Sequence, residues 1–197
     1  MDCYLLVGGR SRRMGVAKAS LPFGDSTFIG RVAATARLVF DRVVAVDRAV
    51  SPESQAEWPE ADATIHESRH EDEAAIFGVA RALEESNRKC FVLAVDYPLI
   101  TADVLRKLSE RFEASAAPML IPVWRGLPQP LCAGYAVSMR ELIGRNIAEG
   151  RYDLRSLAGS NAELVEINGI ELMNVNTPEE LEEAKSAYER QELLPSR

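Results

Sequence analysis

The 197-residue sequence predicts a single-domain, Rossmann-like three-layer α/β sandwich spanning residues 1–197: a mostly parallel sheet with helices on both faces. Three observations predict it. Short apolar, β-branched runs alternate along the chain with longer stretches whose apolar residues recur at helical spacing. The runs at 4–7 and 91–95 are continuously apolar, as strands buried on both faces are. No internal repeat, low-complexity run or linker-like stretch divides the chain.

The first strand is Tyr4-Leu5-Leu6-Val7, stopped by Gly8-Gly9. After Leu21-Pro22-Phe23-Gly24 a helix begins, with Asp25 or Ser26 as N-cap and Phe28, Ile29, Val32, Ala36, Val39 and Phe40 as its apolar stripe. Val43 to Asp47 is a second strand. Residues 48–62 read as a short helix with loops, and Ala63 to His66 as a weak third strand. Ile76, Val79, Ala80 and Leu83 give the segment 74–85 a core-facing helical stripe, and Phe91 to Val95 is a buried strand ending at Asp96. Thr101 caps a helix carrying Val104, Leu105, Leu108 and Phe112. Met119–Val123 and Leu131–Val137 are strands around the turn at Arg125-Gly126-Leu127-Pro128, and 142–148 and 154–157 are helical. Glu163–Ile167 and Glu171–Val175 read as late strands, and Pro178 at the first helical position opens a final amphipathic helix.

Composition narrows the class. Apolar residues make up 47% and charged residues 27%, ordinary for a globular protein with a full core. No run reaches transmembrane length, and the N-terminus lacks a basic n-region and cleavage site, so no membrane partner and a cytoplasmic location are expected. Cys3, Cys90 and Cys132 are odd in number and set in apolar segments, which reads as reduced core cysteines. A net charge of −7 argues against a nucleic-acid partner.

Against that acidic background, Arg10, Arg12, Arg13 and Lys18 lie between Gly9 and Lys18 with no acidic residue among them. Glycines after a strand let backbone N–H groups approach phosphate oxygens, while Arg and Lys neutralise their charge. The loop is neither a Walker A loop, because Val16 follows Gly15, nor G-x-G-x-x-G, because Gly8 and Gly9 are adjacent. Ligands of such sheets bind outside the carboxyl ends of the strands, which brings Gly8-Gly9 and Asp96 to one edge. A carboxylate there is either a cap for the next helix or a Mg²⁺ ligand; Thr101 lies nearer that helix, which favours the metal. Asn174 and Asn176 share one face of an extended segment, to shape the turn or to hold a ligand. Thr177 with Glu180 forms a capping box.

The loop from Val7 to Lys18 resembles the L-A-G-G-x-S-x-R-M-G-x-D-K motif of molybdenum cofactor guanylyltransferases, in the nucleotidyltransferase superfamily. Asp96-Tyr97-Pro98 resembles the family's D-x-P metal motif. Pro130 to Tyr135 resembles P-L-x-A-x-Y, and Asn174 to Glu180 resembles N-V-N-T-P-E-E, all in family order. The resemblance implies an enzyme that transfers GMP from GTP to molybdenum cofactor and releases pyrophosphate, with Mg²⁺ as its cofactor. It implies catalytic roles for Arg13, Lys18 and Asp96, nucleotide contacts from Val7, Gly8, Gly9, Arg13, Gly15, Lys18, Gly78 and Asp96, and Mg²⁺ held by Asp96. Arg151, Asn174 and Asn176 would face the second substrate, and transient contact with cofactor-handling or molybdoenzyme proteins is expected. Ala17 stands where the family has Asp, and Ala74-Ala75 where it has Gly-Pro. These departures leave open a CTP-using nucleotidyltransferase or a nucleotide-binding homologue without turnover.

A rival chemistry is spelled by His66-Glu67-Ser68-Arg69-His70, which fits the H-E-x-x-H motif of zinc hydrolases. It needs two histidines one helical turn apart on a partly apolar helix. The run from Ser68 to Glu73 is wholly polar and these are the only two histidines, so an exposed loop is the reading preferred.

Overall fold

A computed structural model of the chain describes residues 1–8, 18–48, 57–67, 72–159 and 161–192. The N-terminal apolar run becomes β1 (Asp2–Leu6), whose last four residues are buried. It sits between β4 (Val43–Arg48) and β6 (Cys90–Ala94), parallel to both. Between them in sequence come the short antiparallel pair β2 (Pro22–Phe23) and β3 (Ser26–Thr27), then α1 (Phe28–Arg37). β5 (Ala63–Glu67) pairs with β4, and α2 (Ala75–Glu85) leads back to β6. The remaining elements are α3 (Ala102–Ala114), β7 (Met119–Trp124), β8 (Leu127–Pro128), β9 (Cys132–Tyr135), α4 (Met139–Ala148), β10 (Glu163–Glu166) and α5 (Pro178–Glu192). The sheet runs β10-β7-β9-β6-β1-β4-β5, with β8 paired to β7. It is parallel except at β9 and β8.

Helices α2 and α4 pack together on one face, while α1 and α3 meet on the other, giving the three-layer α/β sandwich that the alternation predicts. The core between the layers is built from the strand residues and the helix stripes: Val32, Ala33 and Ala36 from α1, Ile76, Val79 and Leu83 from α2, Leu105, Leu108 and Phe112 from α3. A smaller cluster of Phe23, Phe28, Leu99, Val175, Ala184 and Tyr188 seats α5 against the β2–β3 hairpin. The three cysteines are free and buried. No described helix is long and apolar enough to cross a membrane.

Several element boundaries differ from expectation. The N-cap of α1 is Thr27, whose Oγ1 accepts from the Gly30 N–H at 3.2 Å, rather than Asp25 or Ser26. Gly24, at φ +61°, turns the chain so that Ser26 joins the hairpin and the helix starts later. Glu171–Val175 is not a strand. Met173 N donates to Ile170 O within a turn, and Val175 N makes a single bond to Asp96 O, so no ladder forms. The apolar character of Leu172, Met173 and Val175 comes instead from packing in the core. Of the segment 48–62, residues 49–56 lie outside the described residues. The rest is turn, with Ala61 N donating to Trp58 O, and the segment begins with Arg48, which still belongs to β4.

Candidate active site

Because β1, β4, β5 and β6 are parallel, their carboxyl ends open on one edge, and β1 lies where successive connections part to either side. At that edge is a cavity of about 1020 Å³. Val7 and Gly8 enter it from the end of β1, Lys18 from the 3₁₀ turn Lys18–Ser20, Arg48 from β4, Glu67 from β5 and Asp96 from the turn after β6. Ala74, Ala75 and Gly78 of the α2 start close one side; Leu131, Arg155, Asn176, Thr177 and Glu180 close the other.

Asp96 and Lys18 meet at its centre. Lys18 Nζ lies 3.5 Å from Asp96 Oδ2, each side chain only 14% exposed. The same ammonium donates to Asn176 Oδ1 at 2.7 Å, and Asn176 Nδ2 donates to Asn174 Oδ1 at 2.6 Å. Backbone pairing fixes this cluster: Val175 N donates to Asp96 O, hanging the two asparagines on the loop that carries the carboxylate. Glu180 Oε2 accepts from Asn176 N and Thr177 N, and Thr177 Oγ1 accepts from Glu180 N, which is the reciprocal cap expected from the sequence. Thr101 Oγ1 accepts from Val104 N and caps α3, so Asp96 is not spent as a cap. Below it, Tyr97 Oη donates to Gln129 Oε1 and pins the turn from inside.

Burial raises the Asp96 carboxyl above the usual carboxylate range, while the Lys18 ammonium and the Asn174 amide pull the other way. Its Oδ1 is buried and accepts no hydrogen bond from the described residues, which is costly for a carboxylate unless a cation takes it up. No group of three or more His, Cys, Asp or Glu side chains able to hold a metal occurs among the described residues. A single protein carboxylate beside a phosphate site suits Mg²⁺, which completes its octahedron with phosphate oxygens and water. Asp96 fits that ion.

The other end of the cavity carries a charged pair. Arg48 and Glu67 are register partners at the ends of β4 and β5, with Arg48 Nε 3.9 Å from Glu67 Oε1. Arg48 Nη1 also lies 2.9 Å from Glu73 Oε1, and Nη2 donates to Asp72 O at 3.4 Å. Burial pushes the Glu67 carboxyl up to about 7, opposed by Arg48 and reinforced by Asp47.

Among the sequence-predicted residues, Val7, Gly8, Lys18, Gly78, Asp96 and Asn176 line this one cavity, and Asn174 sits directly behind Asn176. Gly9, Arg13 and Gly15 lie outside the described residues. Arg151 does not reach the cavity: it donates to Asn146 Oδ1 and pairs with Glu149 at the end of α4. Arg155, four residues on, lines it instead. The sequence pattern does not point to Arg48 or Arg155, and it points to Glu67 only through the H-E-x-x-H motif. For Arg48 and Glu67 the signal was available, since each closes a strand at the same edge as Gly8 and Asp96. Nor does the helix required by a zinc motif exist at its first histidine. His66 and Glu67 end β5, the His66 carbonyl accepts from Arg81 Nε, and His70 lies outside the described residues.

Comparison with known proteins gives the family. Residues 3–164 match the family model of the MobA-like NTP transferase domain. The chain is 31% identical over 186 residues to a probable molybdenum cofactor guanylyltransferase of Rhodopirellula baltica, covering 90% of this chain and 88% of that one. It is 26% identical to a molybdenum cofactor guanylyltransferase of Desulfosudis oleivorans, over 93% of both. The crystal structure of molybdopterin-guanine dinucleotide biosynthesis protein A from Archaeoglobus fulgidus superposes with a TM-score of 0.77 at 26% identity, over 96% of this chain and 100% of that one. With strand ends, loop lysine and buried aspartate meeting as the fold requires, the chain belongs to the MobA-like NTP transferase family and is a nucleotidyltransferase.

Proposed function

We propose that the protein transfers GMP from GTP to the terminal phosphate of molybdenum cofactor, releasing pyrophosphate, with Mg²⁺ bound at Asp96. The observation that carries this reading is the cluster of Lys18, Asp96 and Asn176 in a cavity at the parallel edge of the sheet. It is supported by relatives that are named as molybdenum cofactor guanylyltransferases over nearly their full length.

In this reaction a phosphate oxygen of the acceptor bonds to the α-phosphorus of GTP, and the bond from that phosphorus to the bridging oxygen of pyrophosphate breaks. The attacking oxygen is already anionic, so no general base is required. What the protein must supply is alignment and a place for the negative charge. Lys18, held by Asp96 and Asn176 at this edge, would neutralise the triphosphate, and Gly8 would let the backbone approach it. Held by Asp96, Mg²⁺ would supply charge neutralisation for the phosphate groups. The family resemblance implies phosphate contacts from Gly9, Arg13 and Gly15 as well. Arg155, which also lines the cavity, would offer the acceptor a cation.

A thermal-shift panel of GTP, CTP, ATP and UTP with Mg²⁺ tests the reading. At about 100 times Kd, GTP stabilises the fold by about 2.7 kcal/mol, which raises Tm by roughly 5–10 °C. A shift with CTP and none with GTP contradicts guanylyl transfer.

A further inference from the structure

Behind Asp96 lies a buried polar pair that takes no part in lining the cavity: Tyr97 is 1% exposed and Gln129 6%. Gln129 is fixed from several sides. Its Nε2 donates to Leu127 O at 3.0 Å, its main-chain N to Pro122 O at 2.8 Å, and its carbonyl accepts from Cys132 N. The amide is thereby turned with Oε1 towards Tyr97, whose hydroxyl donates to it at 3.1 Å. A hydroxyl carries one proton, so the Tyr97 oxygen, having given it to Gln129, can only accept on its other side. From the cavity the order runs in the same sense. Lys18 Nζ donates to Asn176 Oδ1, and Asn176 Nδ2 donates to Asn174 Oδ1. That leaves the Asn174 NH₂ group for Asp96 and Tyr97, both of which feel it as a hydrogen-bond donor. Reversed, the Asn174 amide would set its oxygen against the carboxylate and its nitrogen against Asn176 Nδ2. The network therefore has one consistent donor direction, from Lys18 at the cavity to the Leu127 carbonyl at the β7–β8 hairpin.

We propose that Tyr97 is a positioning residue for nucleotidyl transfer: held by Gln129, its hydroxyl fixes the Asn174 amide, which sets the Asp96 carboxylate for its metal ion. Tyr97 itself touches no reacting atom. With Lys18 on Oδ2 and the Asn174 amide beside it, the carboxylate keeps Oδ1, which accepts nothing from the described residues, for the ion. Partners of this kind, one step removed from a metal, orient the ligand and are worth about 10–100-fold in metal affinity. This inference rests on the reading of Asp96 as the Mg²⁺ ligand and adds the side chains that aim it. It also gives the buried Tyr97–Gln129 pair a purpose beyond packing, since a phenylalanine and an apolar neighbour would fill the same space without any polar group to satisfy.

The test is calorimetric titration of GTP into wild type, Tyr97→Phe and Gln129→Met over a series of Mg²⁺ concentrations, with urea unfolding of each protein alongside. Tyr97→Phe keeps the ring and removes the hydroxyl. Gln129→Met keeps the length of the side chain and frees the hydroxyl proton to turn on Asn174. The Mg²⁺ concentration that half-saturates the gain in GTP affinity should rise about tenfold in Tyr97→Phe, and in the same direction in Gln129→Met. GTP affinity without Mg²⁺ should stay within about twofold. Added to Asn174→Ala, Tyr97→Phe should change the Mg²⁺ requirement by less than about twofold, because the hydroxyl acts through that amide. An unchanged Mg²⁺ requirement in Tyr97→Phe, whatever its stability, overturns the proposal and leaves the hydroxyl a purely structural group. So does an equal loss with and without Mg²⁺, or a full tenfold loss on top of Asn174→Ala. Should Tyr97→Phe fail to fold, Gln129→Met decides by the same criteria. Wild type whose GTP binding ignores Mg²⁺ would instead overturn the metal reading of Asp96, and this inference with it.

Discussion

Removing the Lys18 ammonium should cost far more than removing its partner's charge, and a double-mutant cycle between Lys18 and Asp96 measures the difference. At 3.5 Å and an effective dielectric near 20, the two charges attract by about 5 kcal/mol. Both are only 14% exposed, so solvent screens part of this, and desolvation of both groups takes back more. A net coupling of about 2 kcal/mol is expected. Lys18→Met leaves a buried carboxylate with an already unpartnered Oδ1, so it should lose about 2 kcal/mol and lower Tm by roughly 4–8 °C. Asp96→Asn removes the group whose ionised form the site disfavours, and should be neutral or stabilising by up to about 1 kcal/mol. The double variant should return close to wild type. Urea unfolding at pH 7 without nucleotide is the assay, with ΔG taken from all four proteins. Additivity within about 0.5 kcal/mol would refute a direct Lys18–Asp96 interaction.

Other expectations follow from single contacts. Glu67 holds its proton up to about pH 7 in the fold against an unfolded value near 4.5, so the unfolded chain loses that proton first and stability falls as pH rises between them. The full span corresponds to about 3 kcal/mol at most. Glu67→Gln should flatten the slope in urea titrations between pH 5 and 7, and an unchanged slope would place the effect elsewhere. A methyl at Gly134 would sit 2.3 Å from Phe112 Cδ1, inside the contact between α3 and β9. Gly134→Ala should therefore destabilise by about 1–3 kcal/mol, read as a lower Tm with nucleotide selectivity preserved. Thr101→Ala removes the α3 cap, and Thr101 does not line the cavity. It should cost about 1 kcal/mol, seen as a drop in Tm of roughly 2–4 °C with turnover unaffected.

The parts of the site legible in the sequence are those governed by strand direction. Lys18 and Asp96 lie 78 positions apart, yet the rule that parallel strands open their ligand edge at the carboxyl end predicts their meeting. The same rule, applied to the second and third strands, points at Arg48 and Glu67. The apolar patterning ends those strands at Asp47 and His66, each one residue short of their observed ends, and the H-E-x-x-H spelling draws Glu67 toward a metal motif. Arg155 was out of reach because it projects from a 3₁₀ turn, Leu154–Gly159, where neither strand alternation nor helical spacing assigns a face. Residues 171–175 misled for a different reason. Burial of Leu172 and Val175 gives them a strand's composition, but composition does not reveal that no neighbouring ladder is free.

On the proposed function, the loop lysine and Asp96 grip a metal-bound triphosphate between them. Titrating GTP into wild type and Asp96→Asn, with and without Mg²⁺, tests it most directly. Mg²⁺ should tighten GTP binding to wild type at least about tenfold and leave Asp96→Asn binding almost unchanged, as expected when the one protein carboxylate on the ion is lost. A variant lacking the Asp96 carboxylate that keeps the full Mg²⁺ dependence would contradict the account.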